Sequence, residues 1–196
     1  QPFTENDVPV LNRTLFPLAT EEQLINVAWP KRVSIRGRGI LAVANYFNAF
    51  DFADGSALTA SNAIKREYHH IFPDALIQEA NEYFEDEPIN STVALNCALI
   101  TGKTNRTIGR KEPLTYLKER YEWATEAIIS QRLNSHIIPI AELKAGDYEG
   151  LTEEAKAKKI KADYEKFLTA RAALVIKAVQ RLSNGEDVTA SEVLNS

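Results

Sequence analysis

The sequence predicts an α+β domain that is mostly helical and carries one small two-stranded unit. Three observations give that class. Residues 152–182 contain neither Gly nor Pro, and Tyr164, Phe167, Leu168, Ala172, Leu174, Val175, Ala178 and Leu182 supply one apolar face. That pattern predicts a single helix of roughly thirty residues. Shorter stretches at three- and four-residue spacing recur through the chain. Only two runs, 63–72 and 93–100, read as strands. The division expected is an N-terminal segment with a short helix over 1–35, packed on the domain, a core over 36–145, and a long C-terminal helix over 146–196 packing on that core.

Residues 1–19 show no periodicity and carry Pro2, Pro9 and Pro17, which reads as an extended arm. Thr20-Glu21-Glu22-Gln23 has the form of a capping box, so a short helix should run to about residue 28 and end before Pro30. Ile40, Val43, Ala44, Phe47 and Phe50 predict an amphipathic helix over 38–50, with Gly37 and Gly39 at its entrance. Asp54-Gly55 marks a turn. Leu76, Ile77, Ala80 and Phe84 predict a helix over 75–84, closed by an acidic run and Pro88. Thr101 or Thr104 can cap a short helix that Gly109 ends. Pro113 suits a first helical turn, and Leu114, Leu117, Tyr121, Ala124 and Ile128 continue at helical spacing towards Leu133. Pro139 and residues 146–150 break the pattern, and Ser183-Asn184-Gly185 closes the long helix.

Apolar residues make up 44% and charged residues 26% of the chain, ordinary values for a globular protein. No run approaches the roughly eighteen apolar residues that a membrane helix needs. The first residues lack the basic and apolar regions of a signal peptide, so a cytoplasmic protein is expected. The one cysteine, Cys97, excludes an internal disulfide framework and a CxxC zinc site, and suits a reducing compartment. The chain starts with Gln and has no methionine, so a fragment of a larger protein is expected. A net charge of −4 weighs against a whole-surface nucleic-acid binder, but distribution matters more than the sum. Lys31, Arg32, Arg36 and Arg38 form one basic cluster; Lys103, Arg106, Arg110, Lys111, Lys118 and Arg120 form another. Residues 74–87 hold six acids and no Lys or Arg, and the part near Glu85 reads as a loop facing away from any bound nucleic acid.

The chemistry concentrates in two stretches. Glu67-Tyr68-His69-His70-Ile71-Phe72-Pro73 ends the first strand with paired histidines. The second strand carries Asn96 and leads through Thr104-Asn105-Arg106-Thr107-Ile108-Gly109 into a short helix. Phosphodiester hydrolysis needs an activated water and a cation that stabilises charge on phosphate and leaving oxygen. Imidazole suits the first task because its pKa lies near neutrality. Neighbouring residues on a strand point to different sides, so His69 and His70 must differ in role. Asn105 can offer an amide oxygen to a cation, and Asn96 can hydrogen-bond within the loop that carries the histidines.

These residues, with Pro113-Leu114-Thr115-Tyr116-Leu117, resemble the HNH (ββα-metal) endonuclease motif, in the version found in the C-terminal half of GmrSD-like modification-dependent restriction proteins. The direct match covers residues 68–117, and Phe167-Leu168-Thr169-Ala170-Arg171 resembles a flank of such proteins more loosely. The resemblance implies His70 as general base, Asn96 as the strand asparagine, and His69 and Asn105 as ligands of one divalent cation, Mg²⁺ or Mn²⁺. The family's usual residue at position 69 is a carboxylate; an imidazole there softens the donor set towards transition ions. Lys103, Arg106, Arg110 and Lys111 are expected to contact DNA phosphates. The implied setting is restriction of modified or foreign DNA, alongside an N-terminal ParB-like nucleotide-hydrolysing domain whose own motif this chain lacks. A catalytically degenerate HNH-fold module that only binds DNA or protein is the rival. His136, beside Ile137 and Ile138, reads as a core histidine, Cys97 as buried, and Lys158, Lys159 and Lys161 as helix surface.

Overall fold

Helix caps written into the sequence set most of the boundaries. The computed structural model describes residues 12–31 and 34–195; the first eleven residues of the expected arm, and Arg32 of the first basic cluster, lie outside them. The fold is α+β and about 54% helical, with a two-stranded antiparallel sheet. Helix α1 spans Glu21–Ile25, where Thr20 Oγ1 accepts the Gln23 amide and Gln23 Oε1 accepts the Thr20 amide. It stops short of residue 28 because Ala28 leaves the helical path to bridge Val93. Helix α2, Ile35–Tyr46, starts earlier than expected because Ser34 caps it through the Gly37 amide. Gly37 therefore lies inside the helix, where a Cβ would come within 2.7 Å of the Ala28 carbonyl oxygen.

Strand β1, Arg66–His70, pairs with β2, Cys97–Thr101, from Arg66 opposite Thr101 to His70 opposite Cys97. Both strands are shorter than expected. Residues Ala63–Lys65 and Ala94–Asn96 form single 3-10 turns at the strand entrances. Asn96 consequently precedes β2 instead of lying on it. Its side chain accepts the Phe72 amide at 2.8 Å and donates to the Phe72 and Ser91 carbonyls, both at 3.0 Å. The excursion between the strands is thereby tied shut, and it contains helix α3, Asp74–Asn81.

Helix α4, Gly102–Ile108, follows β2 without a linker; Thr101 Oγ1 caps it through the Thr104 amide and Gly109 ends it at φ +56°. The stretch from residue 114 to 133 is two helices, α5 (Pro113–Tyr121) and α6 (Glu126–Asn134), because Thr125 caps a second start. Two further short helices, α7 (Ile140–Lys144) and α9 (Ala190–Asn195), flank helix α8, Glu153–Ser183. Helix α8 runs 31 residues and packs against α1, α2, α3, α7 and α9. Its buried face, including Ile160, Tyr164, Phe167, Ala172 and Val175, joins one apolar core that draws on residues from Leu24 to Val193.

An arginine lies within this core. Arg171 is 1% exposed and spends its donors on four carbonyls: Leu95 at 2.5 Å, Cys97 at 3.0 Å, His136 at 2.8 Å and Ile137 at 3.2 Å. Burial lowers its pKa to about 10, which leaves it protonated at neutral pH. Helix α8 thus holds the start of β2 and the segment after α6 in one place.

Candidate active site

Strand β1 divides its side chains between two environments, as alternation requires. Glu67 and His69 meet helix α4, while Tyr68 and His70 meet Trp29. His69 is 2% exposed and packs edge-on to Phe52 and Tyr116, with ring centroids 6.0 and 6.4 Å away. Tyr116 also donates to the Ile71 carbonyl at 3.0 Å, fixing α5 behind the end of the strand.

His69 Nδ1 lies 2.8 Å from Asn105 Oδ1, and Asn105 Nδ2 donates to Glu67 Oε2 at 2.8 Å. A carboxylate only accepts hydrogen bonds, so the amide nitrogen faces Glu67 and the amide oxygen faces His69. His69 Nδ1 must then carry the hydrogen. That assignment leaves Nε2 as a bare lone pair, buried and without a partner. Burial also pulls the His69 pKa down to about 4, partly opposed by Asn105, so the ring is neutral at physiological pH.

The 2.8 Å spacing is that of a hydrogen bond. Two ligand atoms at right angles about an ion with ~2.1 Å bonds stand about 3.0 Å apart. To share an ion, the ring would have to hand its hydrogen to Nε2 and turn its Nδ1 lone pair from the Asn105 oxygen towards the ion. Among the described residues no three His, Cys, Asp or Glu side chains form a metal cage. The donor set here is one imidazole and one amide, with the Glu67 carboxylate beside them.

His70 is half-buried, its ring stacked on Trp29 at a centroid distance of 4.0 Å and an interplanar angle of 21°. Its Nε2 is buried and unpartnered. Burial lowers its pKa, the Asp74 carboxylate opposes that, and Lys31 adds to it; the net shift is downward. His69, His70, Asp74, Asn105, Gly109 and Arg110 line one open cleft of about 310 Å³. The two strand-end histidines and the helical asparagine, expected together from the sequence, therefore share a wall. Asn96 stands behind it, 0% exposed and engaged with the loop.

The four expected phosphate contacts are on or just after α4. Lys103 is exposed. Arg106 Nη1 is 3.6 Å from Glu67 Oε1, Arg110 pairs with Glu79, and Lys111 donates to Glu119 at 2.8 Å. The acids of 74–87 divide: Glu85 lies in the loop after α3, whereas two others stand at or beside the cleft. Asp74 lines the cleft, and Glu79 reaches Arg110 from helix α3. His136 is 1% exposed, donates from Nε2 to the Phe50 carbonyl at 2.8 Å, and is a core residue. Cys97 is fully buried and its thiol is pushed up to about 12, which makes it inert at neutral pH.

Four residues that organise the cleft were not singled out from the sequence for any role in it: Trp29, Asp51, Glu67 and Gly102. The Asp51-x-x-Asp54-Gly55 turn carried a local signal, while the partners of the other three are set by tertiary packing. No family model matches the chain, and neither does any curated protein or solved structure.

Proposed function

We propose that this chain is a metal-dependent DNA endonuclease of the HNH type that nicks or cuts by phosphodiester hydrolysis. The single observation that carries the reading is the 2.8 Å approach of His69 Nδ1 to Asn105 Oδ1, in a cleft that His70 also lines. A divalent cation, Mg²⁺ or Mn²⁺, would supply charge stabilisation for the phosphate and the leaving oxygen. His69 and Asn105 would hold it; the softer imidazole leaves room for transition ions. His70 takes the proton from the attacking water, with its ring plane set by Trp29 and its loop held by Asn96. Lys103, Arg106, Arg110 and Lys111 would meet the DNA backbone. Exposed ion pairs such as Arg106–Glu67 and Arg110–Glu79 are worth only about 0–1 kcal/mol, so a phosphate can displace the acid.

In this reading the setting is restriction of modified or foreign DNA in the cytoplasm, together with a ParB-like nucleotide-hydrolysing domain of the same protein. Plasmid nicking across a Mg²⁺ and Mn²⁺ titration tests it. His70→Ala should lower cleavage by about 10²–10⁴-fold, the usual contribution of a positioned base, with folding and DNA binding retained. Undiminished cleavage by that variant would reject the assignment. A second reading, a DNA- or protein-binding module without turnover, is favoured by the imidazole of His69 at the position where the HNH motif usually has a carboxylate. It predicts DNA binding with no nicking at any metal concentration.

A further inference from the structure

We infer that Glu67 is the positioning residue that decides which end of the Asn105 amide faces the cation. This rests on the nuclease reading above. An asparagine is a useful cation ligand only through its oxygen, yet its oxygen and nitrogen are nearly equal in size. Packing alone therefore separates the two orientations poorly. A neighbour that can only accept separates them well, and Glu67 Oε2 takes the Asn105 nitrogen at 2.8 Å. The amide oxygen is left towards His69. Outer partners of this kind commonly orient the groups that touch a metal.

The other Glu67 oxygen stands 3.6 Å from Arg106 Nη1, one residue beyond Asn105 on the same helix, an exposed pair too weak to fix it. Gly102, the first residue of α4, leaves the space the carboxylate occupies. A Cβ at 102 would collide with Glu67 Oε1 and lie 2.9 Å from its carboxyl carbon. The glycine does not serve a left-handed turn there, because it lies within a helix. Its lack of a side chain admits Glu67 over the first turn of α4.

The test uses Mn²⁺ alone, with free ion followed by electron paramagnetic resonance, and thermal unfolding as the control for folding. Glu67→Gln presents either a donor or an acceptor and so loses the orienting power. It should weaken Mn²⁺ binding about 10-fold or more, the range expected for an outer-shell partner. Gly102→Ala keeps the carboxylate but displaces it, and should weaken Mn²⁺ similarly without lowering the unfolding temperature. In the Asn105→Asp background both ends of the side chain are oxygen, so orientation no longer matters. There Glu67→Gln should lose only the attraction of the carboxylate for the ion, so its effect on Mn²⁺ affinity should be clearly smaller than in the wild type. An equal loss in both backgrounds would make the charge of Glu67, or direct ligation by it, the cause and overturn the positioning role. Equal Mn²⁺ affinity in the wild type, Glu67→Gln and Gly102→Ala would overturn it too, while leaving the nuclease reading intact. A wild-type protein that neither binds Mn²⁺ nor nicks DNA would end both.

Discussion

The Asp51 carboxylate accepts the Thr101 amide hydrogen at 2.7 Å, joining an early turn to the junction between β2 and α4. Its other oxygen takes the Thr104 hydroxyl at 2.6 Å and the Ala53 and Asp54 amides at 2.9 and 3.0 Å. Arg66, at the start of β1, lies 3.6 Å away with both side chains buried. One carboxylate therefore gathers both strands and the helix that presents Asn105.

Removing it should be costly. Asp51→Ala leaves the Arg66 charge buried without its counter-ion and frees several donors at once. Breaking a buried pair from one side costs about 3–5 kcal/mol. For a domain of this size each kcal/mol moves the melting temperature by roughly 2–4 °C. Calorimetry should show a fall of about 10 °C; an unchanged melting temperature would show that Asp51 does not hold the junction.

Arg171 makes an equally specific demand. Its fork geometry reaches four carbonyls on two segments, which a lysine ammonium cannot reproduce. Arg171→Lys keeps the charge and loses most of the bonds. At about 1–3 kcal/mol for each buried group left unsatisfied, a loss of roughly 3 kcal/mol or more is expected by urea denaturation. Wild-type stability in the lysine variant would mean that charge alone, not the fork, is what the core needs.

Acid should weaken the fold through His136, by desolvation. The buried ring has its pKa pulled from 6.5 to about 3, against a smaller opposing effect of its bond to the Phe50 carbonyl. Below pH 6.5 the unfolded chain takes up a proton that the native state refuses. Stability therefore falls as pH drops from about 6.5 towards 3, by up to about 1.4 kcal/mol per pH unit for this one group. Asp51 acts in the same sense at lower pH. Burial raises its pKa, but its hydrogen bonds from Thr104, Thr101, Asp54 and Ala53 prevail and hold it below 3.8. Its contribution is full above that value and is lost as pH falls through the native pKa. Urea midpoints should drop between pH 7 and pH 5. The slope should become shallower in His136→Gln, which still donates to Phe50 but does not titrate in this range; an unchanged slope would exonerate His136.

How much of this was legible depended on whether the decisive interaction was local. Helix α8 was expected over 152–182 and spans Glu153–Ser183, because its Thr152 cap and apolar face lie within the segment itself. The break between α5 and α6 was missed, since apolar spacing continues across the point where Thr125 starts a new helix. The hairpin was expected at the right places but too long. Its ends are trimmed by 3-10 turns and by the Asn96 bonds to Phe72 and Ser91.

The site divides in the same way. Order along the chain was enough to nominate His69, His70, Asn96 and Asn105, and residue type was enough to give each a chemical possibility. The long helix, the capped starts and the paired strands were likewise determined by the sequence alone, because hydrogen bonds and apolar periodicity over a few residues suffice for them. Only the tertiary structure decided that Glu67 faces the Asn105 nitrogen, that Trp29 covers His70, and that Asp51 binds the start of α4. Those contacts join residues 38 to 53 positions apart, or depend on which side of a strand meets which helix. Close packing around a shared core fixes such pairings, and no short stretch of chain contains them.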